Sequence, residues 1–130
     1  MTYAIDPELA EFVATLPVRD WDDPVEARTA MDGLIAMLNA DADTTGVRIE
    51  DRLVPGPRGA PEVAVRVYAP ADRKAAVPGL LDIHGGGFVV GTIDMEHAGA
   101  ARFVRSLGVV VVAVEYRLAP ASATIHFRAA

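Results

Sequence analysis

The 130-residue sequence contains no cysteine, which excludes a disulfide framework and a thiolate zinc site. Basic residues are few and scattered: 12 Lys and Arg stand against 18 Asp and Glu, a net charge of −6. A nucleic-acid or anionic-membrane partner would call for a basic face, so neither is expected. No apolar stretch approaches the roughly 20 residues that cross a bilayer. The opening residues, Met1 to Glu8, lack a basic segment followed by an apolar run, so they do not read as a secretory signal. Internal repeats and low-complexity segments are also missing. A soluble cytoplasmic protein is expected. Its hydrophobic fraction of 52% and charged fraction of 23% allow one ordinary domain with a core.

Two helix starts open the chain. Asp6-Pro7-Glu8 puts a capping residue before a proline at the first helical position. Leu9, Phe12, Val13 and Leu16 follow at i, i+3, i+4 and i+7, and Pro17 should end the helix. Asp23-Pro24 makes a second start, with Glu26 placed to complete a capping box. Met31, Leu34, Ile35 and Leu38 repeat the stripe. Neither helix can bury its own stripe, so both are expected to cover something apolar.

Near Asp41 the period changes. Residues 47–54 read as a strand and 55–61 as a turn-rich loop, too long for a tight hairpin. Val63, Val65 and Val67 alternate with Ala64, Arg66 and Tyr68, which predicts an antiparallel pair with one wet face. Gly79 to Ile83 forms the next strand. A helix is expected from about Met95 to Leu107, with Ala100, Phe103, Val104 and Leu107 on one face and Gly108 as its cap. Asp94 and Glu96 fall in its first turn, where negative charge suits the dipole. The apolar run Val109 to Val114 fits a strand buried on both faces. Strand, helix and strand then make one βαβ crossover, expected to be right-handed, and the class is α/β.

His84-Gly85-Gly86-Gly87-Phe88 follows the first strand of that crossover. Ligands of open α/β sheets bind outside the carboxyl ends of the strands. Glycines there let the backbone take positive φ and approach a ligand closely. Two N–H groups can then converge on one oxygen. In acyl transfer that oxygen is the developing oxyanion, and one such donor is worth roughly 3–4 kcal/mol of transition-state stabilisation. Glycine triplets also occur in turns that only reverse the chain. A phosphate loop of the Walker type would need Gly-Lys-Ser/Thr, and a dinucleotide fingerprint would need spaced glycines opening the helix; neither is present.

Tyr116-Arg117-Leu118-Ala119-Pro120 follows the valine run. With His84-Gly85-Gly86-Gly87-Phe88 one βαβ unit upstream, the chain resembles the hormone-sensitive-lipase branch of the α/β hydrolases, a group of esterases and lipases. The resemblance runs from the opening helices to Pro120. It implies that residues 1–44 are cap helices whose stripes line the acyl side of the pocket. It implies that 45–120 are the N-terminal part of the hydrolase core, an incomplete α/β-hydrolase fold. Gly86 and Gly87 match the oxyanion-hole donors. His84, Gly85 and Phe88 would support that loop, with His84 ordering it rather than acting as base. Tyr116 and Arg117 would be structural near the site, Arg117 holding loop carbonyls or a carboxylate. The chemistry implied is carboxylic-ester hydrolysis on a small-molecule ester, with no metal and no organic cofactor.

The resemblance also marks what is missing. The family's nucleophile lies in a Gly-x-Ser-x-Gly elbow after the next strand, followed by an acid and then a His. The only serines here are Ser106 and Ser122, neither flanked by the required glycines. His97 on the crossover helix and His126 in the tail come too early to be the base and read as surface or incidental residues. No Ser-Asp-His triad can be placed, so the chain alone is expected to be inactive. Residues 121–130 depart from the family's Pro-Phe-Pro-Ala-like continuation and read as an aberrant or truncated tail. Codons able to encode Ile125-His126-Phe127-Arg128, regrouped by one base, can read His-Pro-Phe-Pro, the pattern a frameshift near Ala121 would leave; a deliberately chosen end point and an incomplete gene model are the simpler alternatives. The alternatives are a non-catalytic remnant or interaction module, and an amide-cleaving hydrolase on the same scaffold. An open sheet edge beside the strand ending at Ile83 is expected to promote self-association or aggregation.

Overall fold

The computed structural model describes residues 4–15 and 23–119. Leu16, Pro17, Pro120 and the whole of the 121–130 tail, with Ser122 and His126, lie outside the described residues.

Helix α1 runs from Pro7 to Thr15 and α2 from Pro24 to Asn39. The expected capping residues are in place, but Glu26 does not return a bond to the Asp23 N–H, so the capping box is half formed. The Asp6 carboxylate accepts from the Glu8 N–H at 2.9 Å. Asp23 accepts from Val25 N–H at 2.8 Å and Glu26 N–H at 3.2 Å, satisfying donors that a helix start leaves unpaired. The stripes fare differently. Helix α2 buries Ala27 and Ile35 against the layer formed by the crossover helix and the turn before it. Leu38 stays 66% exposed. Helix α1 buries none of its residues, and Leu9 and Phe12 are more than half exposed.

Strands β1 (Val47–Val54), β2 (Val63–Pro70), β3 (Gly79–Ile83) and β4 (Val110–Glu115) form one sheet of order β1-β2-β4-β3. A short 3-10 turn, Ile93–Glu96, precedes helix α3, His97–Leu107, and Gly108 ends α3 at φ 68°, its N–H on the Val104 carbonyl. β3 pairs parallel with β4, Leu81 opposite Val112, and so α3 is the helix of a βαβ unit. β1 and β2 pair antiparallel, as do β2 and β4. Asp94 and Glu96 therefore sit in the 3-10 turn, not in the first turn of α3.

The expected wet face of β2 is missing: Val65 on one side and Tyr68 on the other are both buried. Tyr68 is fully buried under α3, in one core with Ala100, Val104, Val111 and Ala113. Val63, Val65 and Val67 share the opposite face with Val112, Val114, Leu81 and Ile83, their partners in register. On that face Leu81 and Ile83 are 64% and 61% exposed. That the side with Tyr68 and Arg66 is not wet has a chemical reason. Both polar residues on the α3 side find partners there: the Tyr68 hydroxyl meets His97 Nδ1 at 3.1 Å, and Arg66 is held between Asp51 and Asp94. A buried polar group with a partner loses little of what burial costs it. His97 is thus a structural partner of the core, not an incidental surface histidine.

Candidate active site

β3 delivers His84 to the carboxyl end of the sheet, where the chain reverses through Gly85–Gly91. Three successive residues hold positive φ: Gly86 at 119°, Gly87 at 59° and Phe88 at 62°. The first needs glycine outright, since a Cβ on Gly86 would stand 1.9 Å from the Val90 carbonyl oxygen. That carbonyl-lined bend is closed by the Gly86 oxygen, which accepts from both Val89 and Val90 N–H at 3.0 Å. Val90 is fully buried and anchors the turn. Gly91 has the same constraint at the loop's end: a Cβ there would meet His84 Nδ1 at 2.6 Å. Among the described residues, neither the Gly86 nor the Gly87 N–H donates a hydrogen bond to another protein group.

The limbs of the loop are fixed by the segment after β4. The Tyr116 hydroxyl donates to the His84 carbonyl at 2.7 Å and lies 3.3 Å from that of Gly85. Its ring stacks on His84, with centroids 4.2 Å apart and planes 14° from parallel, and meets Phe88 edge-on at 5.9 Å. His84 is 3% exposed. Its Nδ1 faces the Gly85 carbonyl at 2.8 Å, a pairing that requires the proton on Nδ1. Nε2 has no partner among the described residues. A buried ring fixed in this way orders the backbone. On the far limb, the Ala119 N–H donates to the Phe88 carbonyl at 2.8 Å.

Arg117 does not hold the loop. It is exposed, and no hydrogen bond or ion pair joins it to another described residue. The guanidinium that takes loop carbonyls belongs to Arg28 of α2. Its Nε donates to the Val89 carbonyl at 2.7 Å, and its Nη2 donates to that of Ala119. Nothing in the sequence pattern marks Arg28, because a basic residue beside an apolar stripe usually serves as solvated flank.

Two carboxyls lie beneath the loop. Burial pushes both Asp82 and Glu96 above the ordinary carboxylate range, and Asp82 pushes Glu96 further; His84 opposes the shift in each. Burial, with Glu115 nearby, also raises the Tyr116 phenol, keeping its donor proton in place. Ser106 spends its hydroxyl on the Arg102 carbonyl one turn back in α3, away from this end of the sheet. Among the described residues no group of three or more His, Asp or Glu is arranged to hold a metal ion. No helix among them is long and apolar enough to cross a membrane.

A hollow of about 790 Å³ adjoins the loop. His84, Gly85, Gly87, Phe88, Tyr116 and Arg117 form one wall, and the β1–β2 loop from Pro57 to Glu62 forms another. Among the described residues, neither α1 nor α2 lines it. Of the stripe of α2, Ile35 is buried against the α3 layer. The loop can therefore present two bare amides and one glycine-smooth backbone to a carbonyl oxygen, at a strand's carboxyl end.

A family model described as the alpha/beta hydrolase fold matches residues 80–124. A bacterial heroin esterase of known structure superposes with a TM-score of 0.85 at 42% identity, over 91% of this chain and 37% of that one. An esterase from Pyrobaculum calidifontis superposes with a TM-score of 0.76 at 31% identity, over 91% and 37%. Esterase LipI of Mycobacterium tuberculosis is 32% identical over 120 residues, 90% of this chain and 36% of that protein. The chain thus spans little more than a third of the length of these relatives.

Proposed function

Since the chain belongs to the hormone-sensitive-lipase type of the α/β-hydrolase family and carries the N-terminal portion of that fold, we propose that it supplies the oxyanion hole of a carboxylic-ester hydrolase whose triad lies outside these 130 residues. The observation that carries this is the pair of unpartnered N–H groups at Gly86 and Gly87, on a positive-φ loop beside the hollow.

In the whole enzyme a serine oxygen attacks the acyl carbon of a small ester, and its proton passes to a histidine base. The carbonyl oxygen takes up the negative charge and moves toward the Gly86 and Gly87 N–H groups. These are fixed in advance, so little reorganisation is needed as charge develops. Collapse expels the alcohol, which takes the proton, and water then releases the acid. Tyr116, His84 and Phe88 hold the loop in shape. No metal or organic cofactor enters this scheme.

The test has two arms. The 130-residue chain alone is expected to give no turnover of a short-chain aryl ester. A chimera joining residues 1–119 to the rest of the bacterial heroin esterase is expected to hydrolyse it, and to act far more weakly on the matching anilide. Turnover by the chain alone would contradict the absence of a triad. A folded chimera inert toward esters would contradict the oxyanion assignment, and one that prefers the anilide would move the assignment to amide cleavage.

A further inference from the structure

We propose that Arg28 is a positioning residue for the oxyanion loop, through which helix α2 sets the direction of the Gly86 and Gly87 amides. The inference rests on the reading of those amides given above.

The tie spans the chain. Arg28 sits in α2, 61 residues before Val89 and 91 before Ala119, and its guanidinium donates to both of their carbonyls. These carbonyls belong to the two strips of backbone already joined by the Ala119 N–H on the Phe88 carbonyl. Three hydrogen bonds therefore close a small ring around the exit limb of the loop. The entry limb is held separately, by the Tyr116 hydroxyl on His84 and Gly85. Between the two clamps lie only Gly86 and Gly87, the residues with most backbone freedom. Removing either clamp would let their N–H vectors swing.

The chemistry suits arginine and not lysine. The fork of a guanidinium directs N–H donors along divergent, fixed lines, and it stays charged at any working pH. A lysine ammonium can reach one carbonyl but does not fix the angle between two. The site is half-buried, so each charged hydrogen bond is little diluted by water. The base of the strap is also well seated: Ala27, the neighbour of Arg28, is 2% exposed, and Ile35 two turns on is 6% exposed. Helix α2 consequently serves the loop directly, although none of its residues lines the hollow beside the glycines.

Displacing reacting groups by about 1 Å can cost a hundredfold in rate. In the chimera, Arg28→Ala is expected to lower kcat by about ten- to a hundredfold with KM nearly unchanged, because the loop touches the oxyanion rather than the ground-state ester. Arg28→Lys should recover part of the loss, and added guanidinium should partly restore the alanine variant. In the 130-residue chain itself, hydrogen exchange across 86–90 and at Ala119 should accelerate in Arg28→Ala, while β2 and β4 keep their protection. Unchanged exchange in the loop would overturn the proposal, as would an active chimera whose kcat ignores the substitution. An inert chimera with accelerated loop exchange would leave the tie standing and remove the esterase reading instead.

Discussion

At the scale of single residues, the two oxyanion glycines are not equivalent. A Cβ on Gly86 would stand 1.9 Å from the Val90 oxygen, whereas a Cβ on Gly87 meets nothing within 4 Å. Gly87→Ala pays only for a left-handed backbone, about 1–2 kcal/mol, and keeps its N–H. Gly86→Ala must reopen the turn. Chemical denaturation should show a small loss for Gly87→Ala and a loss of more than about 3 kcal/mol for Gly86→Ala; equal losses would contradict the geometry. The glycine triplet was legible in the sequence because glycines at a strand's carboxyl end carry a physical meaning, whereas Tyr116 was placed near the site only by the resemblance. Arg28 was not legible, since its partners are backbone carbonyls, which leave no mark on residue type. Arg117, which the resemblance put in that role, is exposed.

At the scale of elements, helices and strands fall where caps, turn residues and apolar periods put them. What periodicity could not decide was which side of β2 faces the helix layer. Valines on one face and Ala64, Arg66 and Tyr68 on the other look like core and surface, but the partners Asp51, Asp94 and His97 come from three other segments. The junction of the 3-10 turn with α3 carries its own prediction. Glu96 has a raised pKa in the folded protein, from burial first and Asp82 second. Between its unfolded and folded pKa the native state binds more protons, so its contribution to stability falls as pH rises through that window. Glu96→Gln removes the charge. The variant should melt higher than the parent at neutral pH, with the gain shrinking as pH falls into the carboxylate range. A lower Tm at neutral pH, or a gain independent of pH, would contradict this.

At the scale of the whole molecule, and among the described residues, a helix covers one side of the sheet, while the other is covered at Val65 but not at Leu81 or Ile83. α3 lies over Tyr68, Val111 and Ala113. The other face presents Leu81 and Ile83 to solvent, on a strand whose outer edge has no partner among the described residues. Parallel sheets are normally buried on both faces, and an open apolar edge favours association. The 130-residue chain studied alone is therefore expected to self-associate, with sedimentation showing mass that rises with concentration. A monodisperse monomer with a sharp, reversible thermal transition would contradict that expectation. In the chimera the same face and edge should be covered, and the association should vanish.

The most direct measurement follows the amide protons of Gly86 and Gly87 in the chimera, before and after its serine is capped with a phosphonate, whose anionic oxygen stands in for the oxyanion. Both protons should move strongly downfield as they take up charged hydrogen bonds. Complete phosphonylation that leaves both resonances where they were would contradict the assignment of these two glycines.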